Sequence, residues 1–227
     1  MQANFVLHPS PEGAITRRKN KNMKRNSNTR SLVILGLMTA ILIVFSFTPI
    51  GTIPIGPLSI TLNIIPIAIA AAALGPAGGA AMGAVFGLLS FLQCLGIGIP
   101  SGMGATLFSI NPFLAFVQRF VPRLLDGFLV GLIFRGCEKA FGYGPAGFIT
   151  GFFSAFLNTL FFMSALVLLF GNTEYVQGLM GGRNVIAFVC AFVGVNAVFE
   201  MIVSTIVTGG VVLALYKAKL LPIAKKA

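Results

Sequence analysis

The residues of this chain that could do chemistry are few, and they fall at helical spacing. Arg119, Arg123 and Asp126 interrupt one apolar stretch, and at 100° per residue they occupy a ~60° arc of one helix face. Asn196 and Glu200 are one turn apart in a second stretch, continued by Ser204 and Thr208. Ser154 and Asn158 repeat that spacing in a third. Ionisable groups within a bilayer cost several kcal/mol, so they are candidates for function by default. The chemistry such a set could do is recognition. Guanidinium groups bind a carboxylate bidentately, and carboxamides serve hydroxyls and amides.

Two readings stand for these groups. In one they bind a ligand, with Arg119, Arg123, Asn158, Asn196 and Glu200 forming the site. In the other they tie helices together, with Arg123 paired to Glu200 or Asp126. Asp126 reads as a structural partner rather than a ligand, and Glu200 fits either role. Pro122 removes a backbone donor and frees the carbonyl of Gln118, so the helix should bend near its arginines.

The elements that must position these residues are membrane helices. Hydrophobic residues make up 56% of the chain and charged residues 9%, far from the roughly half apolar and ~25% charged of soluble domains. Leu32 to Tyr216 has room for six crossings of about 20 apolar residues each. The apolar runs are continuous and lack the alternation of barrel strands, which leaves helices. The fold class is therefore all-α and polytopic.

The spans read as Leu32–Phe47, Ile60–Leu74, Gly79–Leu95, Pro112–Phe134, Pro145–Phe170 and Asn184–Tyr216. The segment TPIGTIPIGPLS, broken by Pro49, Pro54 and Pro57, should be extended or turned at the outer surface. GIGIPSGMGATLFSIN and GNTEYVQGLMGGRN read as loops. Counting ~1.5 Å per residue from Pro112, Phe170 and Asn184 brings Arg123, Asn158 and Asn196 to a similar depth of roughly 16–18 Å.

The net charge of +11 sets topology rather than marking nucleic-acid binding. Seven basic residues lie between Arg17 and Arg30, and Lys217, Lys219, Lys225 and Lys226 follow the last span. With both termini cytoplasmic, these and Arg135 and Lys139 all fall inside, and Arg183 alone lies in an outer loop. Residues 1–30 are expected to form a disordered basic tail, 31–217 the membrane domain and 218–227 a second basic tail. Met23 reads as a start, with residues 1–22 an upstream extension.

No G-x-x-x-x-G-K-[ST] occurs to cradle a nucleotide. The sole histidine, His8, lies in the tail, and no base is placed to activate a membrane serine. Cys94, Cys137 and Cys190 are isolated and read as small buried hydrophobes, without metal or disulfide spacing. An enzyme is not expected, and no cofactor or metal is implied. Gly36 and Ala40, one turn apart on the first span, permit close approach of another helix, either within the bundle or from a partner.

The segment TIPIGPLSITLNIIPIAIAAAALGP resembles the first outer loop and second helix of substrate-specificity subunits of energy-coupling-factor (ECF) transporters. NPFLAFVQRFVPRLLDG resembles their fourth helix and NAVFEMIVSTIVTG their sixth, the similarity spanning about residues 31 to 217. The resemblance implies a multi-pass subunit of a prokaryotic plasma membrane, surrounded by lipid. It implies a vitamin bound near the outer face under the loops after spans one, three and five. It also implies docking onto a membrane scaffold with two ATPase subunits, which alone use ATP. In this family an Ala-x-x-x-Ala motif on helix one contacts the scaffold. Gly36 and Ala40 match it, with glycine a departure that preserves smallness. The pattern is most like the pantothenate group, with biotin, folate and riboflavin as alternative ligands. A reading from another class is a stand-alone secondary transporter of a small organic anion, with Glu200 or Asp126 carrying a coupling proton.

Overall fold

The computed structural model describes residues 11–55 and 58–221, with side chains described for 29–53 and 60–221. His8, Lys225 and Lys226 lie outside the described residues. Among the described residues the chain is all-α apart from one short hairpin. In order it forms α1 (Pro11–Phe47), β1 (Thr52–Ile55), β2 (Leu58–Thr61), α2 (Ile64–Leu74), α3 (Pro76–Cys94) and α4 (Gly102–Ile110). Then follow α5 (Pro112–Phe141), α6 (Tyr143–Phe170), α7 (Glu174–Met180) and α8 (Val185–Lys217). Among the described residues, four helical segments are long and apolar enough to cross a bilayer: Thr29–Phe47, Pro76–Cys94, Tyr143–Phe170 and Val185–Lys217. α5 has the length but carries Arg119, Arg123 and Asp126, and α2 is only 11 residues long.

The structure differs from the expected loops, and it describes part of the basic tail. The basic tail is helical from Pro11 onward, with residues 1–10 outside the described residues. Helix growth adds one hydrogen bond per residue once nucleated, and no proline interrupts positions 12–47. The two segments read as loops contain α4 and α7. Ser101 caps α4 by accepting from Gly104 N at 3.1 Å, and Thr173 caps α7 by accepting from Val176 N at 3.4 Å. These are ordinary N-cap bonds, hidden in the sequence by the surrounding glycines. The proline-broken segment is extended as expected, and pairs with itself: Thr52 lies opposite Thr61 and Ile53 opposite Ile60.

α2 is the hub. Every residue from Ile64 to Ala73 is buried, and the helix touches α1, α3, α5, α6 and α8. Its alanines let these helices approach closely. Gly75, at φ 78°, ends it, and Pro76 starts α3 at once. A side chain at Gly75 would collide with the Arg135 guanidinium, which lies across the end of α2, where cations suit the carbonyl-rich terminus.

Glycines set the two closest helix pairs. Gly79, Gly83 and Gly87 recur every turn of α3, and a Cβ on them would strike the backbone of Gly127, Arg123 and Phe120 of α5 respectively. Gly151 of α6 likewise meets the backbone of Ser204 in α8, and Gly147 meets the side chain of Val212. Such stripes permit the close packing that holds helices together in lipid. Gly83 rests on the carbonyl of Arg123, so α3 sets the height of that arginine. The end of the bundle near the C-terminus is closed by an apolar cluster of Ala72, Ala73, Phe134, Ala146 and Val212. At the opposite end, α4 and α7 pack through Met103, Leu107, Val176 and Met180 onto Met163, Leu166 and Phe188.

Candidate functional site

Beneath the hairpin and α4 lies a polar cavity of ≈ 90 Å³, against the ~10–15 Å³ that one water requires on a comparable measure. It has room for part or all of a small organic molecule. α5 contributes Arg119 and Arg123, α6 contributes Asn158 and Phe162, and α8 contributes Asn196 and Glu200. The five residues expected to form a site thus meet in one cavity. Arg119, Arg123, Asn158 and Glu200 are each less than a tenth exposed.

Among the described residues, neither guanidinium hydrogen-bonds to a carboxylate. Arg119 Nη2 donates to Ser101 Oγ at 3.1 Å, and Arg123 Nη1 donates to the backbone oxygen of Arg119 at 3.1 Å. The Nε of each is buried and has no hydrogen-bond partner among the described residues. Aromatic faces add to the longer-range compensation that Asp126 and Glu200 give Arg123 and that Cys94 gives both arginines. Phe162 lies 5.1 Å from both guanidinium carbons, and Phe86 lies 4.6 Å from that of Arg123. Cation–π contacts of this kind contribute about 0.5–2 kcal/mol each. They do not neutralise two like charges, so an anion in the cavity would complete the site electrostatically.

Opposite the arginines, Glu200 Oε1 accepts from Thr61 N at 2.6 Å and pins the end of the hairpin to α8. Thr61 Oγ1 in turn accepts from Asn63 N, and Asn63 Nδ2 donates to Thr52 Oγ1, both at 3.3 Å. Gln93 Nε2 donates to Ser46 O at 3.0 Å and fastens α3 to the end of α1. Asn158 and Asn196 line the cavity with no hydrogen bond to another described residue, leaving their amides available to a ligand. On α7, burial raises the Tyr175 phenol above its ordinary range, opposed by a Thr106 hydrogen bond and by the nearby charge of Arg119. That bond links the two short helices that cover this end.

The helix-tying alternative fares unevenly. Neither oxygen of Asp126 has a hydrogen-bond partner among the described residues, and Arg123 bonds to backbone instead. Asp126 is buried outside the cavity and makes no ion pair within 4 Å among the described residues, its link to Arg123 being electrostatic at longer range. Ser154 does tie helices, donating to Ile64 O at 3.4 Å. Ser204 and Thr208 are buried below Glu200 with unpartnered hydroxyls. α5 continues as one helix through Pro122. Gly36 has no atom within 4 Å of a built Cβ, and it and Ala40 are exposed on the outer face of α1; the bundle leaves them unpacked. Of the cysteines, only Cys94 is buried, and Cys190 is exposed. Its position on the outer face of a membrane helix lets a small apolar residue stay uncovered.

Residues the sequence did not single out include Phe86, Phe162, Ser90, Gln93, Ser101 and the hairpin threonines. Apolar aromatics carry no signal in a chain with 22 phenylalanines. Ser90 and Gln93, however, stand one turn apart on α3 and could have been read as Ser154 and Asn158 were.

Fold and cavity together define an α-helical membrane protein with a pocket at one end of its bundle, lined by two buried arginines. The chain belongs to the ECF transporter, substrate-specific component family, whose model matches residues 30–212. It is 31% identical over 212 residues to the pantothenate transporter PanT of Leuconostoc mesenteroides, covering 89% of this chain and 97% of that one. It is also 27% identical over 213 residues to the pantothenic acid transporter PanT of Lactococcus lactis, covering 86% and 98%.

Proposed function

We propose that this chain captures pantothenate from outside the cell and delivers it through a membrane scaffold driven by two ATPase subunits. The observation that carries the reading is the buried Arg119–Arg123 pair, whose guanidiniums share an aromatic ring and hydrogen-bond to no carboxylate. A ligand carboxylate supplies the missing charge, and Asn158, Asn196 and Glu200 take its hydroxyls and amide. The names of both relatives support the choice of vitamin.

The proposed topology has six crossings, α1, α2, α3, α5, α6 and α8, with both termini cytoplasmic and the cavity facing outward. α2 is short for a crossing, but it is enclosed by other helices, where the backbone needs no lipid-spanning length. The charges of α5 turn into the bundle, so they do not count against it. Gly36 and Ala40, open on α1, form the surface onto which the scaffold docks.

The test is binding by the purified chain, read by calorimetry and by thermal shift against pantothenate, biotin, folate and riboflavin. Pantothenate should raise Tm, since a ligand of the native state stabilises it. Arg123→Ala should keep the fold and weaken binding about 100-fold, the scale of a lost charged, bidentate contact. Unchanged affinity in that variant would move the site elsewhere. Uptake in vesicles separates mechanisms: import here requires the ATPases. Uptake that persists without them and collapses with the proton gradient would identify a secondary transporter instead.

A further inference from the structure

Ser101 sits at a junction that the proposed vitamin contacts do not use. Its hydroxyl accepts two hydrogen bonds, one from Gly104 N in the first turn of α4 and one from Arg119 Nη2, both at 3.1 Å. The same turn presses on the guanidinium from above. A Cβ at Gly104 would lie 2.9 Å from Arg119 Nη2, 2.6 Å from Cys94 Sγ and 3.0 Å from Ser101 Oγ. Cys94, 4% exposed, therefore lies directly beneath the start of α4. Both Ser101 and Arg119 line the cavity.

We infer that Ser101 is a positioning residue for anion recognition, joining Arg119 and the covering helix α4 into one unit. The physical case has three parts. Arg119, whose Nε has no hydrogen-bond partner among the described residues, is fixed at its tip by Ser101 together with the neighbouring Cys94 thiol, and each long side chain left loose costs affinity when it must be ordered. The Phe162 ring restrains the guanidinium only perpendicular to its face, and the Ser101 bond restrains it in its own plane. The positive end of α4 is brought beside the same guanidinium. That repulsion is tolerable while Ser101 holds the pair together, and an arriving anion relieves it. Arg119 and the first turn of α4 thus form one face of the pocket, and binding an anion there also fastens the cover.

This inference rests on the reading of the cavity as an anion site, so its test has one arm that needs ligand and one that does not. Ser101→Gly is the informative variant, because glycine is tolerated as an N-cap at a cost of only a few tenths of a kcal/mol while the bond to Arg119 is lost. Pantothenate binding should weaken about tenfold, the scale of one hydrogen bond to a charged group. Ser101→Thr should restore most of it. In an Arg119→Ala background, Ser101→Gly should have no further effect on affinity, since residues acting through one contact are not additive. A full tenfold loss in that background, or wild-type affinity in Ser101→Gly alone, overturns the assignment. The ligand-free arm uses the full chain carrying Cys137→Ser and Cys190→Ser, and measures the rate at which a maleimide modifies Cys94. Ser101→Gly should speed modification several-fold by loosening α4, and an unchanged rate counts against the latch. Should the wild-type chain bind no pantothenate, the ligand assignment fails while the labelling arm still decides the role of Ser101.

Discussion

Two runs of small residues in this molecule share a sequence signature and meet opposite fates. Gly79, Gly83 and Gly87 recur every turn of α3, and Gly36 and Ala40 stand one turn apart on α1. The first run is filled: the backbone of α5 occupies the space where side chains would be. The second is empty, with nothing within 4 Å of a Cβ built on Gly36. Spacing of small residues says that a helix can be approached closely, and only the packed bundle says by what. The stripe on α3 belongs to the fold and sets the height of an arginine. The pair on α1 is left over after folding, which is what a docking surface requires.

The contrast can be broken experimentally, beginning with its most drastic consequence. Gly83→Leu should prevent assembly, since its side chain must displace the backbone at Arg123. The cost exceeds the ~1–3 kcal/mol of ordinary overpacking, and size-exclusion chromatography should show no monodisperse protein. A folded, ligand-binding Gly83→Leu chain would mean that α3 and α5 separate readily, and the distinction would lose its basis. Gly36→Leu should leave Tm unchanged and affinity for the proposed ligand within about twofold of wild type, yet abolish uptake in cells that supply the proposed ATP-driven partners. Normal uptake would refute docking at this face. The mildest change sharpens the comparison: Gly36→Ala keeps the position small and should leave uptake nearly unaltered, whereas Gly79→Ala should lower Tm measurably. Equal tolerance at the two positions would show that the open and filled stripes do not differ in the way described.

The charged half of the site was legible because charge is rare in this sequence. Counting residues from three helix ends brought Arg123, Asn158 and Asn196 to one depth, and they share a cavity with Arg119 and Glu200. What escaped notice was the scaffolding around them. Phe86 and Phe162 cradle the guanidiniums but look like any other phenylalanine of a membrane helix. The hairpin and α4 read as breaks because proline and glycine dominate them, although Ser101 carries an N-cap signal and Thr52–Thr61 alternates as a strand does. The glycine stripe of α3 was visible as GGAAMGAVFG, but its partner helix was not, because packing partners are a tertiary property. Asp126 taught the reverse lesson. A carboxylate three residues from an arginine suggests a pair, and the two side chains nonetheless make no hydrogen bond to each other.

The enclosure of α2 bears on how the chain is built at the ribosome. With 11 residues it reaches about 16 Å, well short of a bilayer's ~30 Å hydrocarbon interior. It therefore has no stable berth of its own among lipid tails. Of the five helices that surround it, four emerge later than it does: α3, α5, α6 and α8. The packing that encloses α2 is therefore completed only by helices that follow it in the chain. A nascent chain halted after α6 should still be loose at its centre, and release of α8 is the event that closes the protein around its hub.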